Sequence, residues 1–316
     1  MSIPQAPRDA LPDGPPPAGH NPEISLGTAA LSLHALGTVQ PHGAVLLLDA
    51  ADLRPRQVSA NLAAFLPGGL DRGHGVAPGL RAWWEEGAEG ALVQAVDGLG
   101  FAASRLGPEI LLEIEHEQPV PAEALFAQVV QRAAALQSAP DIPRMCADAA
   151  RILRRLSGFD RVLVYRFAED GSSAVVAEDR NDALPSLLGL HFPADDIPDP
   201  ARALHVAGRL RLIQDTAHTP VPIVPLLHPE SGAPLDLSRA VLRGVVPARL
   251  AHLRQLGIGA TMSVAVVVGG QLWGLLSCHA ARPHAVPRTL RSACDFLGQT
   301  LALHIAARQE AQGAAR

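Results

Sequence analysis

The sequence predicts an α+β protein of two units, each a central antiparallel sheet flanked by helices. Three observations lead there. Apolar runs of strand length are joined by tight turns, most clearly "ATMSVAVVV" and "QLWGLLSCHA" across Gly269-Gly270, where consecutive glycines accept the positive φ a two-residue hairpin needs. Helical periodicity is confined to a few blocks that do not alternate regularly with the strands, and there is no GxGxxG, which sets aside a doubly wound parallel sheet. With 316 residues, 48% hydrophobic and 18% charged, the chain suits two domains with buried cores. Aromatic residues make up only 3%, so those cores are built of Ala, Leu and Val.

Residues 1–29 read as a Pro-rich, disordered leader without the basic and apolar regions of a signal peptide. A first unit spans 30–120. It offers a strand at 43–49, a D-A-A-D turn, a strand at 55–59 and a helical stretch. A Gly- and Pro-rich loop with short helical turns covers 67–83, and two antiparallel strands turn at Leu-Gly-Pro within 100–117. A second unit spans 121–316. Helices are expected at 121–139, with Pro121 at its start, and at 139–159, closed by Gly158. Strands follow at 160–168 and 173–179, and 182–236 reads as mostly irregular. A short helix at 246–257 ends at Gly257, the Gly269-Gly270 hairpin comes next, and a last helix runs from near Pro287 toward 312.

Composition narrows the function. All 26 basic residues are Arg, so no lysine can form a Schiff base with pyridoxal phosphate or retinal or complete a Walker A loop. A net charge of −5 argues against a nucleic-acid surface, and no apolar run approaches the roughly 18 residues that span a bilayer. Cys146, Cys278 and Cys294 are scattered, without a CxxC pair, which fits a reducing compartment and a cytoplasmic protein. GxSxG and HExxH are missing, so an enzyme is the weakest reading. "CHAARPH" (278–284) invites a metal, but Cys278 and His279 are neighbours on a strand and point to opposite faces.

Polar residues at buried-looking positions say more. Thr261 and Ser263 share one strand face, His279 lies on the partner strand, and Arg211 alternates with leucines in "GRLRLIQD". Arg243 follows an apolar run. Arginine forks and hydroxyls converging on one sheet suit an anionic ligand; the alternative is an ordinary exposed sheet face. The string "HFPADDIPDPARAL" (191–204) adds adjacent acids and prolines where neither strand nor helix interior favours them.

At these residues a family likeness enters. "FPADDIP" (192–198) resembles the FPASDIP motif of phytochromes, the bilin-binding red-light photoreceptors. "VQPHGAVLLLD" (39–49) resembles the start of their PAS domain, and "LSGFDRVLVYRF" (156–167) the start of their GAF domain. Residues 238–279 resemble the second half of that GAF domain, and 292–305 its closing helix. The resemblance implies a PAS domain followed by a GAF domain, with an N-terminal knot through a GAF loop. It implies a biliverdin-type linear tetrapyrrole in the GAF pocket, red/far-red sensing and a homodimer through GAF helices, with an unidentified downstream partner. Asp196, Ile197 and Pro198 would face the pigment, with Pro198 turning the loop so that carbonyls stay free. Arg211 and Arg243 would meet one propionate, Thr261 and Ser263 the other. His279 would lie near the terminal ring, with Tyr165 and Phe192 packed against it.

Departures from the family pattern shape the expectation. The bacterial attachment cysteine would fall at about Thr28 and the plant-type one at Leu250, so neither covalent route is open and binding is non-covalent. Cys278 and Cys294 take structural positions. The family's pyrrole-contacting histidine corresponds to Arg249. A guanidinium about 4 Å from a protonated bilin is repelled by about 4 kcal/mol at an effective dielectric of about 20. Arg249 therefore pairs with Asp196 or a propionate, or the pigment is neutral, or none binds. His205 and His252 stand where the family usually has tyrosine, and His205 retains the ability to bond a propionate. Two rivals follow: a chromophore-free relative acting as a dimeric interaction module, and a haem-binding GAF sensor ligated by His205 or His252.

Overall fold

The computed structural model describes residues 35–70, 76–87, 92–117 and 120–314. The first part of the chain forms β1 (Thr38–Val39), β2 (Gly43–Asp49), β3 (Pro55–Ser59), α1 (Leu62–Phe65), α2 (Val76–Glu85), β4 (Leu92–Val96), β5 (Leu99–Leu106) and β6 (Glu109–His116). Then come α3 (Ala122–Gln137), α4 (Ile142–Ser157), β7 (Arg161–Phe167), β8 (Ser173–Arg180), β9 (His191–Phe192), α5 (Asp199–Ala207), β10 (Leu210–Ile213) and β11 (Val221–Val224). The chain closes with α6 (Pro247–Gln255), β12 (Ala260–Val268), β13 (Gln271–Ala280) and α7 (Arg288–Ala314). The expected leader, the position at Thr28 and the threading of a knot lie outside the described residues.

Two antiparallel sheets carry these elements: a seven-stranded one ordered β1-β11-β3-β2-β6-β5-β4 and a six-stranded one ordered β10-β12-β13-β7-β8-β9. β2 is central in its sheet, between β3 and β6, and is covered on both faces. Ala44, Leu46 and Leu48 pack on Phe65, Val76, Leu80 and Trp83 of α1 and α2. Val45 and Leu47 turn the other way, onto Leu235, Leu237 and Leu242 from the second half of the chain. In the second sheet Leu212, Met262, Cys278 and Val162 form one row across four strands and pack with α3, α4 and α7. That leaves the opposite face for the site.

Local chemistry explains most boundaries. The Asp141 side chain caps α4 by accepting from the Arg144 amide at 2.8 Å, and Gly158 ends it at φ 77°. Gly269 and Gly270, at φ 57° and 78°, make the β12–β13 turn. Three differences from the sequence reading are informative. The expected loop at 67–83 contains the start of α2, which admits Pro78 in its first turn, where the missing N–H has no intrahelical partner anyway. β4 is a short edge strand with an alternating burial pattern that gave no strong signal. The segment 182–236 is mostly irregular, as expected, but it also supplies α5, β10 and β11. β11 leaves its own half of the chain to insert between β1 and β3. Its Pro222 has no N–H, yet its carbonyl accepts from the Ala60 amide at 2.9 Å.

Candidate functional site

Strand register builds the site. Arg211 pairs with Ser263, which pairs with Ser277; Ile213 pairs with Thr261, which pairs with His279, which pairs with Arg161. Because side chains alternate at period two, these residues share the face opposite the helices. One end of that face is polar. The other carries Leu163, Tyr165, Ala265 and Leu275, packed with Phe192, Ile197 and Ala201. The Tyr165 and Phe192 rings meet at 5.8 Å between centroids, tilted by 57°.

The acidic loop closes over the apolar end. Ala194–Asp196 is a single 3₁₀ turn with Asp196 only 5% exposed. Pro198, at φ −64°, caps α5. The carbonyls expected to stay free are engaged. Ile197 O accepts from Arg202 Nη1 at 2.8 Å, and Pro198 O accepts the Ala201 and Arg202 amides at 2.9 and 3.1 Å. A helix beginning at once after the proline consumes them, which the string alone did not reveal.

A second segment, 241–246, brings the charges. Arg211 donates from Nη1 to Val241 O at 3.1 Å and from Nη2 to Arg243 O at 2.6 Å and Gly244 O at 2.8 Å. Arg243 donates to Ser238 O at 3.3 Å, and Arg249 is buried on α6. Burial pushes the Arg211 guanidinium well below its ordinary pKa; Arg243 adds to this and Glu113 opposes it. Burial also lowers Arg243, against the pull of Asp236 and Glu113.

Together these elements enclose a crevice of about 110 Å³, or about 710 Å³ counting all atom-free space up to its open mouth. Arg211, Arg243, Arg249, His205, Thr261 and Ser263 line it, and among the described residues no carboxylate does. Three guanidinium groups without an acid in the lining favour an anion, since each arginine offers planar paired donors and the hydroxyls complete the acceptor's bonds. Ala201 joins this cleft to the apolar cluster of Tyr165, Phe192 and Ile197.

The remaining sequence-selected residues stand apart from the cleft wall. Asp196, Ile197, Pro198, Tyr165 and Phe192 lie at the apolar end, and His252 sits on α6 outside the lining. His279 is fully buried and engaged at both ring nitrogens: Arg161 Nη2 lies 2.8 Å from Nδ1, and Ser277 Oγ lies 3.0 Å from Nε2. Arg161 was not singled out in the sequence, although a charge in phase with Leu163 and Tyr165 on an inward strand face is a signal. Gln40 was missed too; its amide donates to Leu212 O at 2.7 Å and to Val241 O at 3.3 Å. Cys146, Cys278 and Cys294 are buried in the helix-side core, and burial pushes the thiols of Cys146 and Cys294 up to about 12.

Among the described residues no cluster of His, Cys, Asp or Glu is placed to hold a metal, and no helix is long and apolar enough to cross a membrane. Residues 141–308 match the GAF domain family, and residues 29–94 match a PAS fold family. Cyanobacterial phytochrome B of a Nostoc species is 35% identical over 303 residues, covering 89% of this chain and 40% of that protein. The bacteriophytochrome of Xanthomonas campestris is 34% identical over 295 residues, covering 88% of this chain and 46% of that protein. The chain thus spans less than half the length of these relatives. Among solved structures, the chromophore-binding domain of an unusual bacteriophytochrome from R. palustris superposes with a TM-score of 0.79 at 34% identity, covering 89% of this chain and 98% of that one. That of the Stigmatella aurantiaca bacteriophytochrome gives 0.78 at 34% identity, covering 87% and 98%. With the GAF match over more than half of its residues and the fold of a bacteriophytochrome chromophore-binding domain, the chain belongs to the phytochrome family.

Proposed function

We propose that the chain is a photosensory core that holds a biliverdin-type linear tetrapyrrole non-covalently and responds to red and far-red light. The observation that carries this reading is the cleft lined by Arg211, Arg243 and Arg249 with no acid in its wall, contiguous with an apolar ring-packing surface. A tetrapyrrole with two propionates has that same division: anionic arms for the guanidinium groups and hydroxyls, apolar rings for Tyr165, Phe192 and Ile197. Asp196, Pro198, His205, His252 and His279 border the pigment in this reading, with His205 nearest the arms. When bound, the pigment supplies the light absorption; the protein supplies charge, shape and exclusion of water.

The protein works in the cytoplasm as a homodimer. Phe126 and Val130 of α3 and Phe296 and Leu303 of α7 are exposed, between 47% and 71%, on helices that pack together. They form the face on which a second copy docks. Residues 30–120 act as the PAS unit and 121–316 as the GAF unit.

Biliverdin added to the purified protein is expected to give a red or far-red band distinct from the free pigment, with no zinc-fluorescent band on a denaturing gel. A spectrum identical to free biliverdin overturns the reading. One observation favours a chromophore-free interaction module instead: Arg211 already donates to three carbonyls across a narrow crevice. That rival predicts a stable dimer and no pigment uptake at micromolar concentration. A haem sensor using His205 or His252 predicts a Soret band lost in the matching His→Ala variant.

A further inference from the structure

We propose that Glu113, which lies across the boundary between the two sheets from the arginine cleft, is a positioning residue whose protonation sets how strongly that cleft holds an anion. Glu113 stands on β6 opposite Val45 and Ala102. Its Oε1 accepts a hydrogen bond from the Leu242 amide at 2.7 Å. Leu242 is inside the segment whose carbonyls at Val241, Arg243 and Gly244 hold Arg211, and whose side chains include Arg243. The same segment is pinned from the first sheet by Gln40 N to Leu242 O and by Gly244 N to Thr38 O, each 2.8 Å. A carboxyl of one unit therefore touches the backbone that carries the cleft of the other.

Charge links them as well. The ionised carboxylate favours the charged forms of Arg211 and Arg243. Around Glu113 stand Glu115 on its own strand, Arg288 and Arg291 from α7, and Arg211 from β10. Asp236 faces Arg243, Glu117 faces Arg288 and Arg291, and His42 and His218 lie beyond Glu115. Burial raises the Glu113 carboxyl to about 7 and Glu115 adds to this, while the Leu242 amide, Arg291 and Arg288 oppose it. Glu113 also lines a cavity of about 820 Å³ between the units, which gives protons a route to it.

Below neutrality the protonated group leaves Arg211 and Arg243 to the ligand; above it, the carboxylate competes for the same positive field. By linkage, a bound anion raises the proton affinity of Glu113 in return. The inference rests on the cleft being the bilin site, so two measurements are paired. In biliverdin titrations the dissociation constant rises between about pH 6 and pH 8 by about 5-fold more in the wild type than in Glu113→Gln, a change of about 1 kcal/mol. Every other group is common to the two proteins, so the difference isolates Glu113. Without ligand, the Leu242 amide and Arg211 Nε–H resonances shift together over that range in the wild type and stay fixed in Glu113→Gln. If they shift only in the wild type while biliverdin fails to bind, the coupling stands and the bilin reading falls. Resonances that do not move in the wild type, or that move equally in Glu113→Gln, overturn the inference.

Discussion

Arg211 Nη2 lies 2.6 Å from the carbonyl oxygen of Arg243, so one cleft arginine holds the backbone of another. The arrangement keeps two like charges facing one cavity, an unfavourable state that an anionic ligand relieves. Arg211 therefore has two tasks, charge and a scaffold of three carbonyl bonds, whereas Arg243 adds to its charge only one longer bond, to Ser238 O at 3.3 Å. Arg211→Ala should weaken biliverdin binding by roughly 100-fold and Arg243→Ala by roughly 10-fold, in line with about 1.4 kcal/mol for each factor of ten. Absorption titrations of the two variants check the order; equal losses would contradict the double role.

Arg249 reaches the cleft wall, at the position where the family resemblance implies a pyrrole-contacting histidine. Replacing it with a ring that can be neutral removes a fixed positive charge from beside the pigment. Arg249→His is expected to raise the bound pigment's own pKa, because a nearby cation disfavours the protonated chromophore. A pH titration of the bound absorption band tests this.

Arg161 and His279 form a buried pair at the back of the site, with Arg161 also bonded to Pro185 O. A guanidinium can only donate, so His279 Nδ1 accepts and the ring proton sits on Nε2, toward Ser277. Arg161→Met leaves the Nδ1 atom and the Pro185 carbonyl without that donor. A loss of about 2–4 kcal/mol in urea unfolding is expected. The Nε2–H form should be visible in imidazole nitrogen shifts of the wild type.

Two groups at the boundary between the sheets titrate with opposite effects on stability. The Glu113 carboxyl is raised from 4.5 to about 7, so its contribution is present below pH 4.5 and is lost as pH rises through 7. His42 is lowered from 6.5 to about 4, chiefly by burial, so its contribution is present above pH 6.5 and is lost as pH falls toward 4. Each is worth about 3 kcal/mol at most. Denaturant melts from acid to neutral pH should therefore show Glu113→Gln gaining stability relative to the wild type, by up to that amount, between pH 4.5 and 7. A constant difference would contradict the raised carboxyl.

Leu303 is 71% exposed and Phe126 is 68% exposed, on α7 and α3. Leu303→Glu is expected to convert a dimer to monomer in sedimentation while leaving the pigment spectrum unchanged, because the charge is desolvated only when a second copy docks.

What could be read from the sequence follows from what is local. The β12–β13 hairpin is written in Gly269-Gly270, and α4 is written in Asp141 and Gly158, because turn and cap chemistry acts over a few residues. Thr261, Ser263 and Arg211 share a face for the same reason: a strand's alternation is a local rule. β11 was not legible, since a proline-flanked Val-Pro-Ile-Val becomes a strand only through partners about 160 residues away. The Gln40–Val241 and Glu113–Leu242 contacts are likewise long-range, spanning 201 and 129 residues. Family likeness implied a set of site residues; only the fold showed that Arg249 joins Arg211 and Arg243 in one wall while His279 is turned inward to Arg161.

The most direct test is a quantitative biliverdin titration of the wild type beside an Arg211→Ala/Arg243→Ala double variant, read by absorption in the red and far red. The account predicts a saturable, one-to-one red band in the wild type, weakened at least 100-fold in the variant. An equally strong band in both proteins would contradict it by placing the pigment elsewhere, and so would no band in either.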